Sequence, residues 1–460
     1  MILEQHYLAC LAHASYLIGD EHTRTAWVID PQRDIQVYLD LAARHGLTIT
    51  DVALTHLHAD FVAGHLALRD AVGARVHVGA QAGVAYDHIP AADGDAYTFG
   101  AVRMVAWHTP GHTPEGVTWL VYDDAVDATR PRAALTGDTL FIGDVGRPDL
   151  LASAGMRAED LAGMLYESVQ RLLGLDDAVL VYPAHGAGSL CGRNLSKQTV
   201  STIGEERRHN YALQPMSRAE FIHRVAAEQP PAPAYFAHDV AMNKADHSTH
   251  VATLQALDMH GLQQAVISGA QLLDAREGTA FAGGHLRGAI NVGIDGQFAM
   301  WVGAVLDPRR PLVIIADPGR EEEVVTRLRR VGFDRATGYL AGGMAAAPPE
   351  LIQTLPRYDA HALRAALTGP TAPLLIDVRN PGEREQGFIP GSLGIPLPSL
   401  LARLDELPPD REVVVHCAGG YRSLIAASTL AAHGRKAADL VGGYGAWEKS
   451  APVSVAHSGS

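Results

Sequence analysis

Three side chains able to hold a cation arrive at alternate positions of one turn. They are His56, His58 and Asp60, within Thr55-His56-Leu57-His58-Ala59-Asp60-Phe61-Val62-Ala63-Gly64-His65. Two neutral imidazoles and a carboxylate crowded together present several lone pairs, a donor set that a metal ion satisfies. Three further turns carry the same residue types. His108-Thr109-Pro110-Gly111-His112-Thr113-Pro114-Glu115-Gly116 follows the apolar run 102–107, Thr136-Gly137-Asp138 follows 133–135, and Pro183-Ala184-His185-Gly186 follows 178–181. Each run reads as a short buried strand ending in a turn that carries a His or an Asp. Strands of one architecture that end on the same side would gather the four turns.

A different chemistry is written further along. Val413-Val414-Val415 reads as a strand and leads into His416-Cys417-Ala418-Gly419-Gly420-Tyr421-Arg422-Ser423, with a helix expected over 423–433. A cysteine in a glycine-rich turn before a helix meets backbone N–H groups and the positive end of the helix dipole, and Arg422 adds charge. All three favour a thiolate. Gly419, Gly420 and Tyr421 are then candidates for the wall of a substrate pocket.

The elements that position these residues alternate between strand and helix. Residues 25–30 read as a strand ended by Pro31, 35–45 as a helix, and 161–173 as an amphipathic helix, with strands near Val76, Val102, Val117, Ala133 and Val179. A proline-stiffened stretch, Gln229-Pro230-Pro231-Ala232-Pro233-Ala234, reads as a linker. Beyond it the chain repeats itself. Leu272-Leu273-Asp274-Ala275-Arg276 matches Leu375-Ile376-Asp377-Val378-Arg379, Val313-Ile314-Ile315 matches Val413-Val414-Val415, and Gly342-Gly343 matches Gly442-Gly443. Landmarks at matched spacing indicate two copies of one domain, joined by a connector over 345–356. The expected domains are 1–240, 250–350 and 357–455. On this matching Asp317 falls opposite Cys417 and Glu322 opposite Arg422, so the first copy lacks the nucleophile.

At 460 residues with 47% hydrophobic content, several folded domains are expected. A net charge of −14 argues against a nucleic-acid partner. No apolar run is long enough to span a membrane, and the first residues do not read as a secretory signal. Three cysteines, Cys10, Cys191 and Cys417, fit a reducing cytoplasm. Cys191, in the glycine-rich stretch 186–194, reads as a bystander.

The four metal-type turns resemble the metallo-β-lactamase superfamily over about the first half of the chain. The resemblance implies an αββα sandwich, so the fold class expected is α/β multidomain, the sandwich followed by two smaller α/β domains. The superfamily motif is His-x-His-x-Asp-His, and here the last position is Phe61. In two-metal members that histidine binds the second metal, so a single-metal site is expected. The stretch from Gly137 to Asp149 is similar to the persulfide dioxygenase branch. That likeness implies one Fe(II) per chain (zinc being the other metal such donors accept), held by His56, His112 and Asp138, with positions open for substrate and O2. His58, Asp60 and His185 would then orient the ligands, and Arg147 would anchor a substrate carboxylate or its loop. The Cys417 loop, with Gly442-Gly443-Tyr444-Gly445-Ala446-Trp447, resembles an active rhodanese, and the first copy an inactive one.

Together these resemblances imply oxidation of a low-molecular-weight persulfide, of glutathione or another thiol, by O2 to sulfite. Sulfane sulfur would move through Cys417, with sulfite or thiosulfate as partner. A homodimer is compatible with the resemblance. Two rival readings follow from the same residues. One is a two-zinc thioester hydrolase of the glyoxalase II type with a rhodanese tail; the other is a non-oxidising sulfur-carrier scaffold.

Overall fold

The computed structural model describes residues 1–150, 155–192, 195–227, 232–249 and 253–450. The expected linker at 229–234 falls partly outside them. The chain divides into two compact units, Met1–Val251 with Arg329–Gly332, and Ala252–Leu328 with Phe333–Ser460.

The first unit contains two six-stranded sheets. One runs from edge to edge through Ile2–Leu8, His13–Asp20, Thr25–Ile29, Thr48–Ala53, Arg75–Gly79 and Ile89–Ala91. Its first three strands are antiparallel neighbours and the rest are parallel. The other runs through Ser201–Thr202, Leu180–Pro183, Ala133–Gly137, Val117–Asp123, Val102–His108 and Ala96–Phe99. The sheets face each other across a core that takes Tyr16, Ile18, Trp27 and Ile29 from one and Met104, Trp119, Val121 and Leu135 from the other. The back of the second sheet is covered by the helix Ala158–Leu172, through Leu165, Val169 and Leu172, together with Phe221 and Val225 of the helix Arg218–Ala226. The helices Gln36–Arg44 and His65–Val72 pack against the strand Thr48–Ala53 of the first. This is the expected αββα sandwich.

The topology explains why the four turns meet. Val102–His108 and Ala133–Gly137 both run antiparallel to Val117–Asp123, so they point the same way, and Leu180–Pro183 is parallel to the latter. Their C-terminal ends therefore emerge at one edge. Val117 N–H donates to Thr55 O at 2.7 Å, which ties the turn after Thr48–Ala53 to the same edge. The expected boundary at 240 cuts a helix: Tyr235–Lys244 is continuous, and the first unit extends past it.

The second unit holds two five-stranded parallel sheets of one design. The orders are Gln255–Leu257, Ala336–Leu340, Leu312–Ile315, Gln271–Asp274, Ile290–Asn291, and Arg357–Tyr358, Ala437–Leu440, Val413–His416, Leu374–Asp377, Leu393–Gly394. The duplication extends to side chains. Arg276 Nη2 donates to Asp274 (2.6 Å) and Gly284 O (2.8 Å), and Arg379 Nη2 donates to Asp377 (2.7 Å) and Gly387 O (2.8 Å). Part of the expected connector is ordered into the first copy, where Ile352–Gln353 pairs with His285–Leu286.

Candidate metal centre and cysteine loop

His56, His112 and Asp138 converge below the shared strand edge, all buried. His56 Nε2 and His112 Nε2 lie 3.7 and 3.5 Å from Asp138 Oδ2. The outer nitrogens fix the tautomers. His112 Nδ1–H donates to Arg147 O at 2.9 Å. Thr55 gives its hydroxyl proton to Asp30 Oδ2 at 2.8 Å, so its oxygen accepts from His56 Nδ1 at 3.0 Å. Both Nε2 atoms are left with lone pairs aimed at a carboxylate oxygen, with no proton between them. Three electron-rich atoms held together in a buried site suit a cation, and the donor set fits a metal. The cleft beside them is lined by threonines 55, 109, 113, 136 and 139, and among these the buried Thr113 hydroxyl has no partner.

Beside this trio His58, Asp60 and His185 form a second buried group, their donor atoms within 4.8 Å of one another. His185 Nδ1 donates to Asp138 Oδ1 at 2.7 Å, and its Nε2 faces Asp60 Oδ2 at 3.0 Å. Burial opposes charge on that imidazole, but two flanking carboxylates outweigh it and hold its pKa well above the ordinary range. Asp138 is pulled down by His185 and His56 against the effect of its own burial. His58 Nε2 lies 3.0 Å from Asp30 Oδ1. Phe61 is fully buried, its ring centroid 4.3 Å from that of His58 and 4.2 Å from that of His13. Its ring offers no donor to a cation at the last position of the His-x-His-x-Asp-His motif.

Several supports were invisible in the sequence. Asp30 sits at φ +50 and uses its carboxylate to hold Thr55 N–H at 2.7 Å as well as the Thr55 hydroxyl. Glu115 accepts from Leu57 N–H at 3.0 Å, joining the first two turns. Asn243, buried in the helix Tyr235–Lys244, donates to His58 O and Phe61 O at 2.8 and 2.9 Å and accepts from Ala63 N–H at 2.9 Å. His13 is buried with no partner for either ring nitrogen. Gly146 is needed for space: a side chain there would strike Asp138 O and His112. Cys191, expected to be a bystander, has its thiol within 4.8 Å of donor atoms on Asp138 and His185, and burial raises its pKa.

In the second unit Cys417 is buried, and its Sγ accepts from Gly420 N–H at 3.1 Å. Gly420 stands at φ +105 and caps the helix Tyr421–Ala432, two residues longer at its start than expected. The loop is clamped from behind, with Tyr444 N–H donating to Cys417 O (2.6 Å) and Gly445 N–H to Ala418 O (3.1 Å).

A family model described as the metallo-beta-lactamase superfamily matches residues 8–185, and one described as a rhodanese-like domain matches 258–347 and 359–450. The mitochondrial persulfide dioxygenase of Bos taurus is 35% identical over 216 residues, covering 45% of this chain and 74% of the relative. A hydroxyacylglutathione hydrolase of a Methylobacterium species is 32% identical over 171 residues, covering 37% and 60%. A crystal structure of a metallo-beta-lactamase from Staphylococcus aureus subsp. aureus COL superposes with a TM-score of 0.66 at 31% identity, over 74% of this chain and 98% of that one. The chain belongs to the metallo-beta-lactamase superfamily, with two rhodanese-like domains following that fold. Persulfide dioxygenases are among its homologues.

Not every candidate in these domains points where the motifs suggested. Arg147 is spent on Asp149, at 2.7 and 2.6 Å, and on Leu190 O. Its carbonyl accepts from His112, which links it to the metal-type site. In the second rhodanese-like domain Arg422 is bidentate to Glu383, at 2.8 and 2.6 Å. Tyr421 turns its hydroxyl to Gly293 O at 2.8 Å, in the first rhodanese-like domain. A Cβ added at Gly419 would meet nothing within 4 Å.

The expected pairing of Asp317 with Cys417 is off by one. Asp274 pairs with Ile315 and Asp377 with His416, so Ala316 stands at the place of Cys417. The left-handed glycines agree: Gly319 (φ +90) corresponds to Gly420, and Gly343 (φ +58), packed on Ala316 O, to Gly443, packed on Cys417 O. Glu321, not Glu322, then stands opposite Arg422. In the first domain the amide equivalent to Gly420 N–H is already taken, Gly319 N–H donating to Glu321 Oε2 at 2.8 Å.

Proposed function

We propose that this chain is a persulfide dioxygenase coupled to a sulfurtransferase. Its net oxygenase reaction would be R–S–SH + O2 + H2O giving R–SH + H2SO3, in which the outer sulfur loses four electrons and O2 gains them. The observation that carries the reading is the arrangement of His56 Nε2 and His112 Nε2 around Asp138 Oδ2 at 3.7 and 3.5 Å, with Phe61 closing the neighbouring place. Two imidazoles and one carboxylate fit a single Fe(II). When bound, that ion would supply open coordination positions and the redox chemistry between a persulfide anion and O2.

The chain's own residues do the rest. Arg147 O and the Thr55 hydroxyl hold the two imidazoles as acceptor tautomers. His185 Nδ1 holds the Asp138 carboxylate by both oxygens, 2.7 Å from Oδ1 and 3.0 Å from Oδ2, and Oδ2 also faces the two imidazoles. Phe61 and His13 keep that side of the centre dry. The unpartnered Thr113 hydroxyl is available to a polar group of the substrate.

At the second site the Cys417 thiolate attacks a sulfane donor. With thiosulfate the S–S bond breaks, sulfite leaves with the bonding pair, and Cys417 keeps the sulfur as a persulfide. Gly420 N–H donates to the sulfur already in the resting loop, and such donors stabilise the anion. The three cysteines are unpaired, in keeping with a reducing cytoplasm. Among the described residues no helix is long and apolar enough to cross a membrane.

The test is metal analysis of anaerobically purified protein with O2 uptake on glutathione persulfide. One iron per chain, lost together with O2 uptake in Asp138→Asn, is the expected result. Two zinc ions per chain with thioester hydrolysis and no O2 uptake would replace this reading with the hydrolase.

A further inference from the structure

We propose that the first rhodanese-like domain positions the cysteine loop of the second, through a glycine shelf at 293–296 that seats Tyr421. The chemical benefit rests on the reading of Cys417 as a sulfur carrier, but the contact can be tested on the thiol alone.

Tyr421 is the first residue of its helix and directly follows Gly420, whose N–H donates to Cys417 Sγ. Its hydroxyl donates to Gly293 O at 2.8 Å. The phenol end of its ring packs on Gly296, where an added Cβ would come within 2.5 Å of Cζ and of the hydroxyl oxygen, and its Cε2 lies 3.7 Å from where a Cβ on Gly293 would stand. Neither glycine has a left-handed φ, so glycine is required at 296 for room and not for backbone conformation. The contact continues along the helix. Leu424 closes on Gly278, and Ser428 Oγ accepts from Asn291 N–H at 3.0 Å. Positions 421, 424 and 428 form one face, so the helix behind the cysteine is seated on the first domain from its first turn to its second.

The shelf is itself braced. Asp295 is held by both arms of Arg320, at 2.8 and 3.1 Å. Arg327 donates to Ile294 O at 2.5 Å, and Ile294 N–H donates to Ala275 O at 3.0 Å. Arg320 occupies in the first domain the place of Tyr421 in the second. The residues that replaced a sulfur-binding loop in the first copy thus hold the surface that seats the working loop of the other. Tyr421 is a positioning residue, acting through Gly420 and not by touching substrate.

The experiment reads Cys417 in the full chain. Iodoacetamide modification of the Cys417 peptide is followed by mass across pH 5 to 10, which gives an apparent thiol pKa, with thiosulfate sulfur transfer measured alongside. Gly296→Ala, a change in the first domain that displaces the ring, and Tyr421→Ala should each move the modification profile up by about one pH unit, which slows modification about tenfold on its acid side. Tyr421→Phe, which loses only the bond to Gly293, should fall between these and the parent. Gly283→Ala is the control, since a Cβ there meets nothing, and its profile should match the parent. Unshifted profiles in Gly296→Ala and Tyr421→Ala would overturn the proposal, as would an equal shift in Gly283→Ala. If Gly296→Ala fails to fold, an unshifted Tyr421→Phe does the same. A shifted profile in a chain whose parent transfers no sulfur would remove the sulfurtransferase reading and leave the positioning contact standing.

Discussion

Asn243 gives the sharpest test of how the metal-type turn is held, because it lies outside the segment matched by the superfamily model and touches no proposed ligand. Asn243→Ala removes three buried hydrogen bonds at once, to His58 O, Phe61 O and Ala63 N–H. An orphaned buried N–H costs about 1–3 kcal/mol, and a carbonyl that loses one of two possible partners costs less. The sum expected is about 2–4 kcal/mol of stability. The loosened segment carries His58, Asp60 and Phe61, and Asp60 faces His185, which orients Asp138. Iron affinity should therefore drop by about tenfold, the low end of what outer supports contribute. Urea unfolding and chelator competition measure the two effects. Asn243→Asp adds a sign. Its carboxylate can still accept from Ala63 N–H but sets negative charge against the carbonyls of His58 and Phe61. Burial, with one donor in Ala63 N–H against two facing carbonyls, raises the folded-state pKa of that new acid above its unfolded value. Its destabilisation is thus greatest at neutral pH, where it matches or exceeds that of the Ala variant, and it shrinks as pH falls through the raised pKa. An Asn243→Ala chain within about 0.5 kcal/mol of the parent and with unchanged iron affinity would refute the assignment of Asn243 as the staple of this turn.

Cys417→Ser should abolish thiosulfate sulfur transfer and leave O2 uptake on supplied glutathione persulfide, measured by oxygen electrode, within about twofold. Ala316→Cys in the Cys417→Ser background should remain inactive in the same transfer assay, because the amide that would serve its sulfur is held by Glu321 and Pro318 offers none. Burial lowers the His416 pKa to about 4, the pull of nearby Asp377 only partly opposing it. The unfolded chain then takes up this proton first, so the contribution of about 3 kcal/mol is complete above pH 6.5 and is lost as pH falls toward 4. His416→Asn should flatten the pH dependence of the urea midpoint in that window, and parallel curves would show that His416 is not the group titrating.

The metal-type turns were legible because each is local: an apolar run, then a turn with its donors inside a few residues. What holds them was not. Asp30 shows only as the residue before Pro31, and its role depends on a left-handed backbone that points its carboxylate at Thr55. Asn243 is one polar residue on a helix and bonds to a turn about 180 positions earlier. The antiparallel pair Ile2–Leu8 and His13–Asp20 also escaped reading, since the outer strand is only half-buried along its whole length and shows no clean alternation. The charges of Arg147 and Arg422 were legible as charges, but their partners, Asp149 and Glu383, decide that neither is a free anchor.

The one-residue error in matching the repeats has the same origin and a functional consequence. Val313-Ile314-Ile315 and Val413-Val414-Val415 are interchangeable as apolar β-branched runs, so composition alone allows either register. Only the neighbouring strand decides, through Asp274 opposite Ile315 and Asp377 opposite His416. With the register set, the nucleophile's place in the first domain holds Ala316, a small apolar residue that would pass for a simple loss. The change that matters lies three residues later, where Gly319 keeps the left-handed conformation of Gly420 while Glu321 takes its N–H. A carboxylate already fills the position a persulfide would occupy, and Arg320 beside it is committed to Asp295. The first domain has therefore not merely lost a cysteine. Its loop keeps the backbone of a sulfur site and turns its amide and its cation inward, onto its own Glu321 and onto the shelf beneath Tyr421.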